Sequence, residues 1–203
     1  MIASKKELEF YLSCDHIMNR GRERRSLKDK FMEIFKPDLI MRYLRLMRKT
    51  DYYRSIGSKR WLYYSWLYNR LGIRLGFTIS YRAFGYGLVI PHYGTIVVGE
   101  QNKVGNYAVL FTSTCITGKQ RTIGNGLYLS TGTKITTGGD LGNNVSIAAN
   151  SVVTKPFPHN DNVLLAGMPA KVKSDSNPWY IRDGIMWENR VAQCEELRKK
   201  MNL

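Results

Sequence analysis

Residues 98–153 read VGEQNKVGNYAVLFTSTCITGKQRTIGNGLYLSTGTKITTGGDLGNNVSIAANSVV, and aliphatic side chains recur through them every six positions. They fall at Val98, Val104, Leu110 and Ile116 and, after one step of seven, at Ile123, Leu129, Ile135, Leu141, Ile147 and Val153. The residue that follows is usually small or polar, as at Gly99, Gly105, Gly124, Ser130, Gly142 and Ala148, and four positions on small residues return at Ala108, Thr114, Thr133, Gly139 and Ser151. A period of six suits neither a helix, at 3.6 residues per turn, nor a long strand, at two. Short strands joined by tight turns satisfy it, each pointing one aliphatic inward, with Gly and Asn at corners that need left-handed backbone angles. Three such strands make one coil of a triangular prism, and coils stack into a solenoid whose open ends need covering.

Outward from the repeat, Phe84, Ile90 and Ile96 keep the six-residue spacing before a two-residue slip into Val98, so the prism is expected to begin near Thr78. Ahead of it, residues 8–48 and 58–74 carry apolar side chains at helical spacing, among them Leu39, Tyr43, Leu46 and Met47, then Leu62, Trp66, Tyr68 and Leu71. Two to four helices capping the first coil are expected. The aromatic group Trp61, Tyr63, Tyr64, Trp66 and Tyr68, flanked by Lys59, Arg60 and Arg70, suits core packing against the prism, or else a face for sugar stacking or a membrane interface. Pro156 and Pro158 end the repeat, Gly167-Met-Pro-Ala-Lys171 is a turn, and Trp187 to Met201 reads as a closing helix with Glu195 and Glu196 near Lys199 and Lys200.

In this repeat the chain resembles the hexapeptide-repeat acyltransferases, which implies a mainly β fold. The fold expected is a left-handed parallel β-helix with an N-terminal helical cap and a C-terminal helix. The boundaries expected are residues 1–77 for the basic cap, 78–173 for the catalytic β-helix and 174–203 for the tail. The stretch Gly85-Tyr-Gly-Leu-Val-Ile-Pro-His-Tyr-Gly-Thr-Ile-Val-Val-Gly-Glu100 is similar to the active-site coil of serine acetyltransferases and their polysaccharide-modifying relatives. With the trailing Gly-x-Pro-Ala-Lys motif, the likeness covers roughly residues 84–172. It implies that His92 is the general base. The residue type suits that role, because a hydroxyl is too weakly acidic to attack a thioester unaided, and a neutral imidazole, with an ordinary pKa of ~6.5, removes its proton as attack proceeds.

The same resemblance implies acetyl-CoA in a groove between subunits of a homotrimer, touching corners at Gly118, Thr131 and Ala149. Lys171 stands where a phosphate would be met, and also where a solvated turn lysine is ordinary. No Ser-His-Asp or Cys-His constellation is present, so direct transfer is expected rather than an acyl-enzyme, with a backbone amide as oxyanion donor. Cys115 reads as a small buried residue, and His16 and His159 have no assigned role. Cys14, Cys115 and Cys194 lack metal-ligand or disulfide-framework spacing, so no metal is expected, and a reducing compartment is.

Departures from the serine enzymes bear on the acceptor. Pro91 stands where they carry an aspartate, Lys119 and Gln120 stand where they carry Arg-His, and Phe77 takes the place of the acid that orients their histidine. Glu100 is the candidate replacement for that acid, or a solvated corner carboxylate. These differences favour a sugar hydroxyl of a capsular or other surface polysaccharide. Serine remains the alternative acceptor, to be told apart by whether the pocket beside His92 carries anionic groups for an ammonium or is an open, aromatic or basic cleft.

At 203 residues the chain suits one catalytic unit with an appendage. Its charge of +15 is concentrated early: residues 1–82 hold 19 Lys/Arg against 8 Asp/Glu. That field attracts any polyanion, so a nucleic-acid or membrane-surface binding module is the reading from another class; charge alone does not account for a histidine inside the motif. No nucleic-acid partner is expected, whereas peripheral contact with a membrane surface is compatible with the basic cap. The first residues lack the apolar run of an export signal, and no stretch approaches the roughly 18 apolar residues of a spanning helix, so a cytoplasmic protein is expected.

Overall fold

The computed structural model describes residues 1–118, 121–136, 140–157 and 160–203. It is a parallel β-solenoid with helices before and after it. The first strand, β1 (Phe77–Ile79), opens three faces. The first face stacks β1, β2 (Ile96–Val98), β5 (Thr114–Ile116), β8 (Lys134–Ile135) and β10 (Val152–Val153) in parallel. The second pairs β3 (Asn102–Val104) with β6 (Arg121–Ile123) and continues through single bridges at Phe84, Leu141 and Phe157. The third stacks β4 (Val109–Leu110), β7 (Tyr128–Leu129), β9 (Ser146–Ile147) and β11 (Val163–Gly167), closed by the antiparallel β12 (Ala170–Asp175). The expected turn at residues 167–171 is the tip of that β11–β12 hairpin.

The inward aliphatics Val98, Val104, Leu110, Ile116, Ile123, Leu129, Ile135, Leu141, Ile147 and Val153 form one continuous buried core. The slip between Ile96 and Val98 has a simple cause: both lie on β2 and both turn inward, with Val97 facing out between them. Small residues two places before an aliphatic, as Ala108, Thr114, Thr133 and Ser151, are likewise turned into the prism, and at other coils the same position holds Ile96, Asn102, Arg121, Leu127 or Val145. Strand alternation puts the residue between such a pair outside. Cys115, expected to be buried, is therefore an outward, half-exposed side chain whose Sγ lies 3.9 Å from Thr117 Oγ1.

One corner is tied by a ladder of side-chain amides. Asn106 Oδ1 accepts from Tyr86 N at 3.1 Å, Asn125 Oδ1 from Asn106 N at 2.8 Å, Asn143 Oδ1 from Asn125 N at 3.0 Å, and Asp161 Oδ1 from Asn143 N at 2.6 Å. The ladder needs glycine beside each rung, because a Cβ on Gly105 would sit 2.4 Å from Asn125 Oδ1 and 2.8 Å from its backbone nitrogen. Gly105→Ala is expected to cost about 1–3 kcal/mol, read as a lowered midpoint in thermal unfolding.

Four helices precede the solenoid: α1 (Lys5–Arg20), α2 (Leu27–Phe35), α3 (Leu39–Ser55) and α4 (Arg60–Leu75). Of the aromatic group on α4, Tyr68 is buried and accepts from Tyr43 OH at 2.8 Å, while Tyr63 and Trp66 are exposed. The helices are fixed to the first coil by a buried ion pair. Arg48 and Asp15, each 1% exposed, meet at 2.8 Å, and the guanidinium also donates to the carbonyls of Phe84 at 2.7 Å and Gly85 at 2.6 Å. Asp15 Oδ1 in turn accepts from Leu88 N at 3.0 Å.

After the hairpin come α5 (Trp179–Arg182) and α6 (Ile185–Lys200). The helix expected over Trp187 to Met201 is α6, which returns to α1, where Cys194 is buried against Cys14, and the neighbouring thiol together with burial pushes the Cys14 thiol up. Trp179 is buried on the outer third face with Nε1 donating to Tyr107 O at 2.8 Å. Glu195 accepts from the hydroxyls of Tyr86 and Tyr107 and faces Arg198 at 3.7 Å, rather than serving the lysines at the helix end. No described helix is long and apolar enough to cross a membrane.

Candidate active site

The chain turns from the third face to the first at residues 91–95, 111–113, 130–132 and 148–151, and these turns stack along one edge of the prism. His92 belongs to the first of them. Gly94 precedes β2 with φ 132°, and the later turns carry their own left-handed residues at Ser113 (60°), Gly132 (77°) and Asn150 (57°). Backbone bonds bind turn to turn: Gly132 N donates to Thr112 O at 3.0 Å and Asn150 N to Thr131 O at 2.9 Å. Tight corners of this kind favour small residues, so beyond the first turn, which carries His92 and the exposed Tyr93, the edge presents Thr112, Ser113, Thr131 and Ala149.

His92 is exposed, and its ring meets that of Phe111, one coil on, with centroids 6.2 Å apart. Phe111 contacts Tyr128 at 5.5 Å, and the Arg182 guanidinium lies 4.7 Å from the Tyr128 ring centre. Arg182 also donates to Ser146 Oγ at 3.0 Å and pairs with Asp183 at 2.8 Å. An aromatic row thus leads from the histidine along the third face to a cation. Burial, then the charge of Asp183, pushes the Tyr128 hydroxyl up.

Thr131 and Ala149 lie on the His92 edge, two and three coils along. Lys171 is exposed at the start of β12, opposite Ala166 in β11, at the far end of the same face. Glu100 and Gly118 do not join them. Both follow strands of the first face, at the corner leading to the second face, so β2 separates Glu100 from His92 within a chain. Among the described residues Glu100 makes no contact with His92. Gly118 is required where it stands, with φ 99° and the Thr136 carbonyl so near that a Cβ would lie 2.2 Å from it. Lys119, Gln120, Pro158 and His159 lie outside the described residues. His16, left without a role, is buried, with Nδ1 2.6 Å from Arg22 O.

Phe111, Tyr128 and Arg182 lie along the candidate site without having been singled out in the sequence. The signal was present: Phe111 directly follows the inward Leu110, and Tyr128 directly precedes the inward Leu129, so each must face out beside the histidine's edge. Among the described residues no group of three or more His, Cys, Asp and Glu could hold a metal ion.

Solved structures share this architecture. The serine acetyltransferase from Brucella abortus strain S19 superposes with a TM-score of 0.60 at 23% identity, over 84% of this chain and 68% of that one. A serine acetyltransferase in complex with CoA gives 0.60 at 20% identity, over 83% and 69%. The Neisseria gonorrhoeae serine acetyltransferase in complex with serine gives 0.53 at 22% identity, over 82% and 67%. No protein-family model matches the chain, and no curated protein sequence matches it.

Proposed function

We propose that this chain is an acetyl-CoA-dependent O-acetyltransferase acting on a hydroxyl of a surface-polysaccharide sugar, with His92 as general base. The observation that carries the reading is the edge of small residues running from His92 through Thr112, Thr131 and Ala149 towards Lys171. Five inter-strand steps of about 4.8 Å, the last two through β11 to β12, span roughly 24 Å, a length of the order of an extended pantetheine arm with its diphosphate. A thioester at the His92 end would leave the nucleotide phosphates near Lys171. A trimer, with the cofactor held in the cleft between copies, belongs to the same proposal.

In the reaction the acceptor oxygen attacks the thioester carbonyl carbon while the imidazole takes the hydroxyl proton. The tetrahedral intermediate then expels the CoA sulfur, which leaves as thiol after receiving that proton from the imidazolium. No acyl-enzyme is needed. Within one chain Glu100 and Gly118 stand at another corner than His92, so in this proposal either would act only across the cleft between copies.

The acceptor reading rests on the row of His92, Phe111 and Tyr128 that ends at Arg182. Aromatic faces pack against the C–H faces of a pyranose, and a guanidinium suits an acidic sugar. A site for the ammonium of an amino acid would need a carboxylate close to His92, and among the described residues none contacts it. Serine stands as the second reading, favoured by the structural likeness to serine acetyltransferases over more than four-fifths of the chain. Release of CoA thiol with L-serine in one reaction and de-O-acetylated acidic and neutral polysaccharides in others separates the two. Turnover with a glycan and not with serine is expected; turnover with serine alone would reverse the assignment.

A further inference from the structure

Helix α2 is built with its polar side to the protein. Its start is set by a capping box, in which Ser26 Oγ accepts from Asp29 N at 3.1 Å and Asp29 Oδ2 accepts from Ser26 N at 2.8 Å. Its acids then bind the rest of the cap: Asp29 takes Arg22 at 2.8 Å, and Glu33 takes Arg25 at 2.7 Å and Arg45 at 3.5 Å. Leu27, Phe31, Ile34 and Phe35, spaced as one helical face, are consequently left 60–82% exposed. A soluble helix normally turns such a face inward, and four large apolar side chains on one nine-residue helix make a patch that asks for a cover.

Charge decides between covers. Arg24, Arg22 and Arg20 beside this helix keep 81%, 52% and 46% of their side chains exposed, and Lys36 at its end is exposed as well. Residues 1–82 carry an excess of 11 positive charges in a chain of net +15. Two copies meeting through this region would bring like fields together, whereas an anionic bilayer meets both the apolar face and its basic surround.

We propose that α2 is an interfacial anchor that lays Leu27, Phe31, Ile34 and Phe35 into the surface of an anionic lipid membrane, with Arg24 and Lys36 against the headgroups. The proposal is independent of the acyl-transfer reading. The anchor would hold the chain at a membrane surface.

The test is co-sedimentation of the full chain with phosphatidylcholine vesicles, with and without phosphatidylglycerol. Partition onto the anionic vesicles only is expected, falling roughly tenfold or more in the Phe31→Ser, Phe35→Ser double variant. Arg24→Glu, which leaves the apolar face intact, is expected to weaken partition and to make what remains less dependent on salt. The thermal midpoint of each variant is compared with the parent, so that loss of binding is not loss of fold. No partition onto either vesicle, or equal partition of parent and double variant, would overturn the proposal. So would self-association in sedimentation velocity that the double variant abolishes, because a second copy would then be the cover.

Discussion

His92→Ala is expected to lower turnover by roughly a hundred- to ten-thousand-fold while leaving acetyl-CoA affinity nearly unchanged. The asymmetry follows from where the residue stands. Its ring is exposed at the end of the edge and meets the ring of Phe111, so truncation removes the proposed base without disturbing the corners proposed to hold the cofactor. Steady-state kinetics beside calorimetric titration of CoA read both quantities. A variant that keeps full turnover would remove the histidine from the mechanism, and one that loses CoA affinity in step with rate would make it a binding residue.

Arg48→Met is expected to give the largest loss of stability, about 3–5 kcal/mol, because it leaves Asp15 buried without its partner. For a chain of this size that corresponds to a fall of roughly 10 °C in the thermal midpoint. The Phe84 and Gly85 carbonyls lose their donor at the same time. The double variant Asp15→Leu, Arg48→Met is expected to be more stable than Arg48→Met alone, since no uncompensated charge then remains. Thermal unfolding of the parent, the single and the double variants measures the coupling. A single variant within about 1 kcal/mol of the parent would mean that water reaches Asp15 and that the pair does not lock cap to coil.

The solenoid was legible because its signal is local and repeated. One aliphatic every six residues forces short strands, and the coil count follows from its length. What the period could not convey was which residues enter the prism beside the aliphatics. Ile96 shares β2 with Val98, and Cys115 faces out between Thr114 and Ile116. Arg121 fills an inward position on β6, with Nη2 bonded to the Thr117 carbonyl, where the pattern suggests a small residue.

The site divides the same way. His92, Thr131 and Ala149 share an edge because the motif and the spacing of about 18 residues set them in step. Glu100 is only eight residues from His92, yet an intervening strand carries it to another corner, a distinction that linear proximity hides. Arg182 reaches the aromatic row because α5 folds back on the third face, and the Asp15–Arg48 pair spans 33 residues; neither contact has a local signature. The exposed face of α2 is opposite to expectation for an amphipathic helix, since its acids found arginines in the body first.

The most direct test of acyl transfer itself is the fate of the acyl group. Acetyl-CoA labelled in its acetyl group is incubated with the protein and a de-O-acetylated acidic polysaccharide, and the polymer is recovered and treated with hydroxylamine. Label is expected on the polymer as a hydroxylamine-labile ester with the parent protein, and at near background with His92→Ala. Label that remains on CoA, or that appears as free acetate at the same rate with and without the polymer, would contradict acyl transfer to a sugar hydroxyl.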